Sequence, residues 1–251
     1  MKAAGVIPAR YAAQRFPGKV LAELLGKPVV QYVYEEARKS RCLEEIIIAC
    51  DDERVFKAVQ RFGARAVMTG RGHNSGTDRI AEAAGSIDAQ IVVNIQADEP
   101  LLHFSMLDGM ADCLIKEPAV CMATLIHKIE DPQELSNTNV VKVVKDSNDF
   151  ALYFSRLPIP YLRDSSGERE EVPFYKHIGL YAYTKDFLMT FTHLKEGRLE
   201  RAERLEQLRA LEYGYRIKLI ETNFDTVSVD TPADLEKVKQ LMLNKSGRIN
   251  E

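Results

Sequence analysis

Short apolar runs alternate with segments of helical periodicity along the first half of the chain. The apolar runs predict buried strands at 3–7, 45–50, 64–68, 91–95 and 120–126. The segments between them predict helices at 28–39, 53–63, about 76–84 and 104–116. This alternation is typical of an α/β fold with a doubly wound, mostly parallel sheet, so we expect ligands at the carboxyl ends of the strands. Pro8 is expected to end the ladder of the first strand, because it lacks a backbone donor.

The alternation breaks after residue 126. Apolar runs at 139–144 and 150–154 flank the polar segment 145–149, which predicts an inserted β-hairpin lobe. Its apolar positions exceed what one buried hairpin face needs, so we expect the same lobe of a second subunit to cover them. These positions are Val140, Val141, Val143, Val144, Leu152 and Phe154.

The remaining pattern predicts four further elements and one loop. Strands are expected at 177–183 and 217–220, and one amphipathic helix at 199–213 that ends at Gly214. Thr231 and Pro232 have the residue types of a helix cap and first helical position. The charged segment 164–171 is expected to be an exposed loop.

Composition narrows the class of protein. With 251 residues and 45% hydrophobic content, the chain can bury the core of one large domain. A net charge of −3 gives no general basic field, so we expect neither nucleic acid nor a membrane as partner. There is no apolar run near 20 residues and no signal-peptide pattern, which favours a soluble, cytoplasmic protein. The four cysteines lack the spacing of a zinc or redox motif.

The clearest candidate chemistry follows the first strand. Arg10, Arg15 and Lys19 are separated mainly by small residues, so their side chains can converge on a ligand that approaches the backbone closely. Such a loop suits a polyphosphate. It is not a P-loop, because Ala13 and Val20 occupy positions that need Gly and Ser or Thr. From the loop alone, the alternative interpretation is that these three cationic side chains are exposed to solvent and bind no ligand.

Two further segments carry candidate site residues. Residues 73–79 open a helix, either as a plain N-terminal cap or as a donor array that binds a base or phosphate together with Ser75 and Arg79. Asp98 follows the strand at 91–95 and is either a Mg²⁺ ligand or the cap of a turn before Pro100.

Residues 7–19 resemble the N-terminal signature of sugar nucleotidyltransferases that make CMP-activated acidic sugars. The resemblance is specific for the 3-deoxy-manno-octulosonate (Kdo) cytidylyltransferase family and covers nearly the whole chain. The other matching segments are Ser-Gly-Thr-Asp-Arg at 75–79, Gln-Ala-Asp-Glu-Pro at 96–100, Ala-Leu-Tyr-Phe-Ser-Arg at 151–156, His-Ile-Gly-Leu-Tyr-Ala-Tyr at 177–183, Leu-Glu-Gln-Leu-Arg at 205–209 and Val-Asp-Thr-Pro at 229–232. Ala97, Ala182 and Ser228 stand where the family has glycine.

The resemblance implies the reaction of CTP with the eight-carbon acidic sugar Kdo to give CMP-Kdo and pyrophosphate, for lipopolysaccharide biosynthesis. It also implies Mg²⁺ as cofactor and a homodimer. Within a single domain spanning 1–251, residues 1–130 would mainly bind nucleotide, and residues 131–225 would mainly bind sugar and the second subunit. The segment at 205–209 is the match most discriminating for Kdo; without the resemblance it would be a plain packing helix.

The family's site residues map onto this sequence as four sets. The implied catalytic residues are Arg10, Arg15, Lys19, Asp98 and Asp230. The implied nucleotide-binding residues are Pro8, Ala9, Arg10, Arg15, Lys19, Ser75, Gly76 and Arg79. The implied sugar-binding residues are Gln96, Arg156, His177, Tyr181, Glu206 and Gln207. Asp98 and Asp230 are the implied metal ligands.

Three alternatives stay open at this point. The sugar is Kdo or a close variant such as 8-amino-Kdo. A nucleotide-sugar binding protein without turnover would keep the fold, but it would not need two separated carboxylates beside a polyphosphate. A glycosyltransferase of related fold would need neither the cationic loop nor the segment at 205–209.

Overall fold

The computed structural model describes residues 1–13, 15–73, 75–163 and 172–248. The expected exposed loop at 164–171 lies outside these ranges. The strands of the described chain are β1 (Ala3–Ala9), β2 (Glu23–Leu24), β3 (Lys27–Pro28), β4 (Leu43–Cys50), β5 (Arg65–Met68), β6 (Ile91–Asn94), β7 (Met122–Lys128), β8 (Lys142–Lys145), β9 (Ala151–Ser155), β10 (Tyr175–Thr184) and β11 (Lys218–Glu221).

Helices fill most of the connections between these strands. They are α1 (Val29–Ala37), α2 (Glu53–Arg61), α3 (Gly76–Ala84), α4 (Phe104–Lys116), α5 (Pro132–Ser136), α6 (Lys185–His193), α7 (Arg198–Glu203), α8 (Gln207–Glu212) and α9 (Pro232–Arg248). A short 3-10 helix spans Lys19–Leu21. None of the described helices combines the length and the apolar character that a membrane crossing requires.

One mixed sheet organises the molecule, with the strand order β11-β7-β10-β6-β1-β4-β5. The predicted mostly parallel character is confirmed: β1 pairs in parallel with β4 and β6, β4 with β5, and β7 with β11. The antiparallel pairings are those of β10, which lies between β6 and β7, and those of the hairpin strands β8 and β9. Because β1 and β6 are parallel neighbours, the segments that follow them emerge side by side at one edge of the sheet.

Apolar side chains cover both faces of the sheet. One core cluster joins it to α1, α2 and α4 through residues such as Val33, Val55 and Leu107. The other joins it to α3, α6 and α8 through residues such as Ile80 and Leu188. Helices on both faces are the arrangement expected of a doubly wound sheet.

The predicted hairpin is present as β8 and β9, and it extends the main sheet. β8 pairs with β9 on one side and with β10 on the other. Val143 and Phe154 are buried in the core of their own chain, whereas Leu152 is 61% exposed. Part of the hairpin's apolar surface is therefore covered within one subunit.

Two local expectations were wrong. The first strand continues through Pro8 to Ala9, because its pairing with β4 extends to Ala9. Val6 bonds toward β6, and Pro8, two residues on, has the same orientation. Since the pairing with β6 ends at Val6, the missing N–H of Pro8 breaks no ladder hydrogen bond. The single helix expected at 199–213 is divided into α7 and α8, with Arg204 in the left-handed region at φ 55°. Tertiary contacts described below hold this break, and they override the amphipathic pattern.

The three positions where the family has glycine are not strained. Among the described non-glycine residues, positive φ occurs at Leu25, Asp149 and Arg204, and at none of Ala97, Ala182 and Ser228. Side chains at these three positions therefore cost no backbone strain.

Candidate active site

A cavity of about 540 Å³ opens at the edge of the sheet where β1 and β6 end. It brings together residues that are more than 200 positions apart in the sequence. Its lining consists of Pro8, Arg10, Ala12, Ala13, Arg15, Phe16, Lys19, Val20, Gly76, Gln96, Ala97, Asp98 and Asp230. The cavity lies where a doubly wound sheet is expected to bind its ligand.

The cationic loop is folded around the backbone of Tyr11. The Tyr11 carbonyl accepts hydrogen bonds from Ala13 N at 3.0 Å and Gly18 N at 2.8 Å, and Tyr11 N donates to Asp51 Oδ1 at 3.0 Å. Gly18 has φ 73°, and an added Cβ there would lie 3.1 Å from the Tyr11 ring. The Arg54 guanidinium lies 3.5 Å from the centroid of the same ring. These contacts bring Arg10, at the start of the loop, and Lys19, at its end, to one cavity wall.

Asp230 reaches the same cavity from the C-terminal part of the chain. Val229 N donates to the Asp98 carbonyl at 2.8 Å, which joins the two segments that carry the carboxylates. A small apolar cluster of Leu24, Val29, Val229 and Val238 attaches α9 to the residues around the loop. The two acids are thus placed side by side by backbone pairing and by packing.

The Lys19 ammonium lies between these two carboxylates. Its Nζ donates to Asp230 Oδ1 at 2.7 Å and makes a short hydrogen bond to Asp98 Oδ2. Arg15 Nη2 pairs with Asp230 Oδ2 at 2.8 Å. Burial alone would lower the pKa of Lys19, but the charges and hydrogen bonds of the two aspartates outweigh burial and raise it above its ordinary value.

A third acid, Glu99, is buried behind the cavity at 6% exposure. Burial, aided by the charge of Asp98, raises the pKa of Glu99 to about 8. Glu99 is therefore mainly neutral at pH 7, so the negative charge at the cavity belongs to the two aspartates.

The two remaining arginines of the predicted nucleotide set have different environments. Arg10 lines the cavity, and its Nη2 donates to the His73 carbonyl at 3.0 Å. Arg79 is 1% exposed and binds Asp51 and Thr69 within the core. Asp51 thus joins Arg79 to the backbone of the cationic loop.

The start of α3 forms both a helix cap and a cavity wall. Ser75 Oγ accepts from Asp78 N, and Asp78 Oδ2 accepts from Ser75 N, each at 3.1 Å, so the predicted cap is present as a capping box. Gly76, the first residue of the helix, lines the cavity.

Gln96 is held by an irregularity in β10. The register of β10 against β7 shifts between Ile178 and Tyr181. Within this bulge the Gly179 carbonyl accepts from Gln96 Nε2 at 3.1 Å. Bulges commonly redirect groups next to active sites, and this one fixes the Gln96 side chain at the cavity wall.

A second cavity of about 640 Å³ lies on the other side of the α3 start. It is lined by Ser75, Asp78, Thr192, Leu194, Glu196, Glu200, Arg204, Glu206 and Arg209. Thr77 Oγ1 donates to Glu206 Oε2 at 2.5 Å. Burial raises the pKa of Glu206, while the bond from Thr77 opposes this shift.

Arg156 spans the hairpin and the break between α7 and α8. Its Nε donates to the Glu203 carbonyl at 2.7 Å, and its Nη2 donates to the Arg204 carbonyl at 3.3 Å. Its Nη1 donates to the Thr138 carbonyl at 3.0 Å. The guanidinium therefore binds the last carbonyls of α7 and holds the break that precedes Glu206.

The aromatic pair of the predicted sugar set lies on β10. His177 Nε2 and Thr124 Oγ1 form a hydrogen bond of 3.0 Å, and the rings of His177 and Tyr181 are 5.4 Å apart. Burial lowers the pKa of His177 to about 3 and raises that of Tyr181. His177 is thus neutral at pH 7. Gln207 is buried, and its Nε2 has no hydrogen-bond partner within the described chain.

The structure brings the predicted residues together in part. The first cavity collects Pro8, Arg10, Arg15, Lys19, Gly76, Gln96, Asp98 and Asp230. Ser75 and Glu206 line the second cavity. The lining of neither cavity includes Ala9, Arg79, Arg156, His177, Tyr181 or Gln207. Their ligand-binding roles stay predictions.

The sequence reasoning did not find Tyr11, Asp51 and Thr77 as site residues. A tyrosine among small residues and a threonine in the first turn of α3 were the available signals. Their contacts depend on distant segments, which one sequence does not reveal.

The residues at the first cavity fit a divalent cation. Among the described residues, no group of three or more His, Cys, Asp or Glu side chains could hold a metal. Mg²⁺ commonly takes one or two carboxylates and completes its coordination with substrate phosphates and water. The ammonium of Lys19, held by Asp98 and Asp230 together, shows that this position accepts a cation.

Comparisons of the sequence and of the structure with known proteins both match this chain to cytidylyltransferases. Residues 4–220 match the family model described as Cytidylyltransferase. The chain is 53% identical over 240 residues to a 3-deoxy-manno-octulosonate cytidylyltransferase of Solibacter usitatus (strain Ellin6076), which covers 96% of this chain and 94% of that protein. A protein with the same name from Geotalea uraniireducens (strain Rf4) is 49% identical and covers 95% of this chain and 98% of its own length.

A solved structure of CMP:2-keto-3-deoxy-manno-octonic acid synthetase complexed with CTP has a TM-score of 0.92 and 43% identity to this chain. The match covers 98% of this chain and 100% of that one. A cytidylyltransferase structure from Leptospira borgpetersenii, with a TM-score of 0.63 and 16% identity, shares the fold alone.

Proposed function

Because the chain belongs to the 3-deoxy-manno-octulosonate cytidylyltransferase family, we propose that it transfers the CMP group of CTP to Kdo and releases pyrophosphate. The observation that carries this proposal is the cavity wall where Lys19 joins Asp98 and Asp230 beside Arg15. Cations and carboxylates in one cavity suit a triphosphate that arrives with a metal ion. The relatives' names supply the sugar.

The reaction needs positioning and charge stabilisation more than covalent catalysis. The anomeric hydroxyl of Kdo attacks the α-phosphate in line, a bond forms between that oxygen and phosphorus, and the bond to pyrophosphate breaks. Arg10, Arg15 and Lys19 stabilise the charge that accumulates on the leaving pyrophosphate. Pro8 and Gly76 place backbone close to the nucleotide.

We propose Mg²⁺ as the metal, held by Asp98 and Asp230. When bound, the ion neutralises phosphate charge and aligns the α-phosphate with the nucleophile. The two aspartates would hold the ion, and Gln96, fixed by the bulge in β10, lines the same cavity.

The sugar site is proposed to extend from Gln96 toward β10 and the α7–α8 break. His177, Tyr181, Glu206 and Gln207 would bind sugar hydroxyls, and Arg156 would support the sugar carboxylate. The position of Glu206 on the second cavity supports this assignment. Residues 1–130 would then mainly bind nucleotide, and residues 131–225 would mainly bind sugar.

We further propose a homodimer formed through the hairpin region. Exposed apolar side chains lie on the second hairpin strand, at Leu152, and directly after it, at Leu157 and Tyr161. A working location in the cytoplasm is supported by the four cysteines, all of which are free thiols. The product would serve lipopolysaccharide biosynthesis.

Pyrophosphate release after mixing the chain with CTP, Mg²⁺ and Kdo tests the proposal. Kdo-dependent release of pyrophosphate together with formation of CMP-Kdo is the expected result. No pyrophosphate would favour a binding protein, and release only with 8-amino-Kdo would reassign the sugar. A glycosyltransferase would instead consume a nucleotide sugar.

A further inference from the structure

A buried hydroxyl connects the walls of the two cavities. Thr77, in the first turn of α3, is 4% exposed, and its Oγ1 donates to Glu206 Oε2 at 2.5 Å. Its neighbour Gly76 lines the first cavity, and Glu206 lines the second cavity. The contact joins residues 129 positions apart in the sequence.

The orientation of Glu206 needs an external restraint. Glu206 is the N-cap residue of α8, but its side chain makes no capping hydrogen bond. It follows the break at Arg204, where the helical backbone is interrupted. The local backbone therefore does not define which way its carboxylate faces.

The nearest cation does not supply this restraint. Arg209 Nη2 is 3.8 Å from Glu206 Oε1, beyond hydrogen-bond distance. The same guanidinium binds Glu200 through Nε at 2.7 Å and Nη2 at 2.6 Å. Because Arg209 is committed to Glu200, the short contact to Glu206 comes from the hydroxyl of Thr77, and the Ser75 side chain adds a weaker hydrogen bond to the same carboxylate.

We propose that Thr77 is a positioning residue for sugar recognition: its hydroxyl holds the Glu206 carboxylate in the orientation in which it accepts a hydrogen bond from a sugar hydroxyl. This inference rests on the proposed function, in which Glu206 binds the sugar. Thr77 itself lines neither cavity and acts through Glu206.

The charge state of Glu206 gives the inference a second readout. The groups that face Glu206 are Thr77 and Ser75 at the start of α3, Arg209 of α8, Glu200 of α7, and Tyr181 and Tyr183 of β10. Burial raises the pKa of Glu206, and the hydrogen bond from Thr77 is the largest influence that opposes it. Without that bond the pKa of Glu206 should rise further, so the carboxylate should be lost at a higher pH.

The test compares Thr77→Val, which keeps the shape and removes the donor, with Thr77→Ser, which keeps the donor. Thr77→Val should raise the KM for Kdo at least tenfold, because a hydrogen bond to a charged group is lost. The KM for CTP should stay within about twofold of wild type. Thr77→Ser should retain most of the affinity for Kdo. Thr190→Val is the matched control, because Thr190 is exposed and bonds only its own helix.

The pH profile separates positioning from a structural defect. In Thr77→Val, the rise in KM for Kdo at acidic pH should begin at a higher pH than in wild type, and Thr77→Ser should restore the wild-type profile. Equal increases in the KM values for both substrates, or an unshifted profile, would overturn the inference. Melting temperatures of both variants verify that they are folded.

A double-mutant cycle tests whether the Thr77 hydroxyl affects Kdo affinity through Glu206. In the background of Glu206→Ala, removing the Thr77 hydroxyl should add no further loss of Kdo affinity. Thr77→Ala serves the same comparison if the valine variant does not fold. If wild type itself releases no pyrophosphate with Kdo, the proposed function fails. If wild type is active and the cycle is additive, only the role of Thr77 fails.

Discussion

The Lys19 side chain places its ammonium at the cavity wall, where it pairs with Asp98 and Asp230. Its backbone begins a short 3-10 helix in which Val20 is buried. Lys19→Ala should lower turnover by about 2 to 4 kcal/mol of transition-state stabilisation, because a charge on the leaving group loses its partner. Steady-state turnover measures this loss. A separate measurement of Kdo affinity should show little change.

Lys27→Ala is the matched control for Lys19, because Lys27 pairs with Glu35 at 42% side-chain exposure, away from the cavity. It should keep the wild-type rate. A Lys19→Ala variant with wild-type turnover would contradict the phosphate role.

The two aspartates should behave alike when their charge is removed. Asp98→Asn and Asp230→Asn should each abolish Mg²⁺-dependent activity, because neutral amides bind hard cations weakly. Metal titration in the presence of CTP measures the effect, with Asp88→Asn as a surface control. A variant that saturates at the wild-type metal concentration would show that its aspartate is not a ligand.

At the scale of single residues, the sequence was informative where a charged residue follows a buried strand. Arg10, Arg15, Lys19 and Asp98 were candidates from their positions after strands of a parallel sheet, whose ends converge. Asp230 was implied by the family resemblance alone. Thr77 and Tyr11 were not predicted as site residues, since their roles depend on contacts to Glu206 and Asp51 that arise only when distant segments pack together.

At the scale of elements, the Arg156 guanidinium binds two carbonyls at the α7–α8 break. Arg156→Lys should weaken affinity for Kdo while leaving affinity for CTP nearly unchanged, because lysine keeps the charge but cannot bind three carbonyls in a planar fork. Calorimetric titration with each substrate measures this. Lys145→Arg, on the neighbouring hairpin strand, controls for general effects on the hairpin. Equal losses for both substrates would point to a general structural defect.

β10 introduces a pH dependence of stability through His177. The folded pKa of about 3 lies below the ordinary value near 6.5, so the unfolded chain binds more protons between these values. Stability from this group is present above about pH 6.5 and decreases as the pH falls. Between pH 7 and 5 we expect a loss on the order of 1 to 2 kcal/mol in the free energy of unfolding.

Urea unfolding at both pH values measures this loss, and His177→Gln should reduce it. His193→Gln, at an exposed position of α6, should leave the pH dependence as in wild type. An identical pH dependence in wild type and His177→Gln would rule out His177 as its source.

At the scale of the whole molecule, the hairpin region is the proposed interface. Val143 is buried in its own chain, so Leu152, at 61% exposure, is the better position for a test. Leu152→Lys should give a monomer with lower activity, because the strand that leads to Arg156 loses its cover. Sedimentation velocity measures the assembly. Met68→Lys, on the opposite sheet edge, should leave it unchanged.

A wild-type chain that sediments as a monomer at micromolar concentration would contradict the dimer. Retention of the dimer by Leu152→Lys would place the interface elsewhere.

The alternation of strands and helices was sufficient to predict the layered fold. Local periodicity could not predict that β10 runs antiparallel between β6 and β7, because a strand's direction depends on which neighbours it pairs with. It also could not predict the break at Arg204, where Arg156 binds carbonyls that an unbroken helix would keep for itself. Both features depend on long-range contacts, and both lie in the region of the proposed sugar site.

The position of Lys19 between Asp98 and Asp230 means that the protein carries its own counterion. A free divalent ion must compete with an ammonium that is already paired, and it leaves that ammonium without a partner if it succeeds. A metal ion that arrives together with a triphosphate meets no such penalty, because the displaced ammonium gains a phosphate as the carboxylates gain the metal. With the metal role proposed above, the site would therefore discriminate against uncomplexed Mg²⁺ and favour the metal complex of the nucleotide.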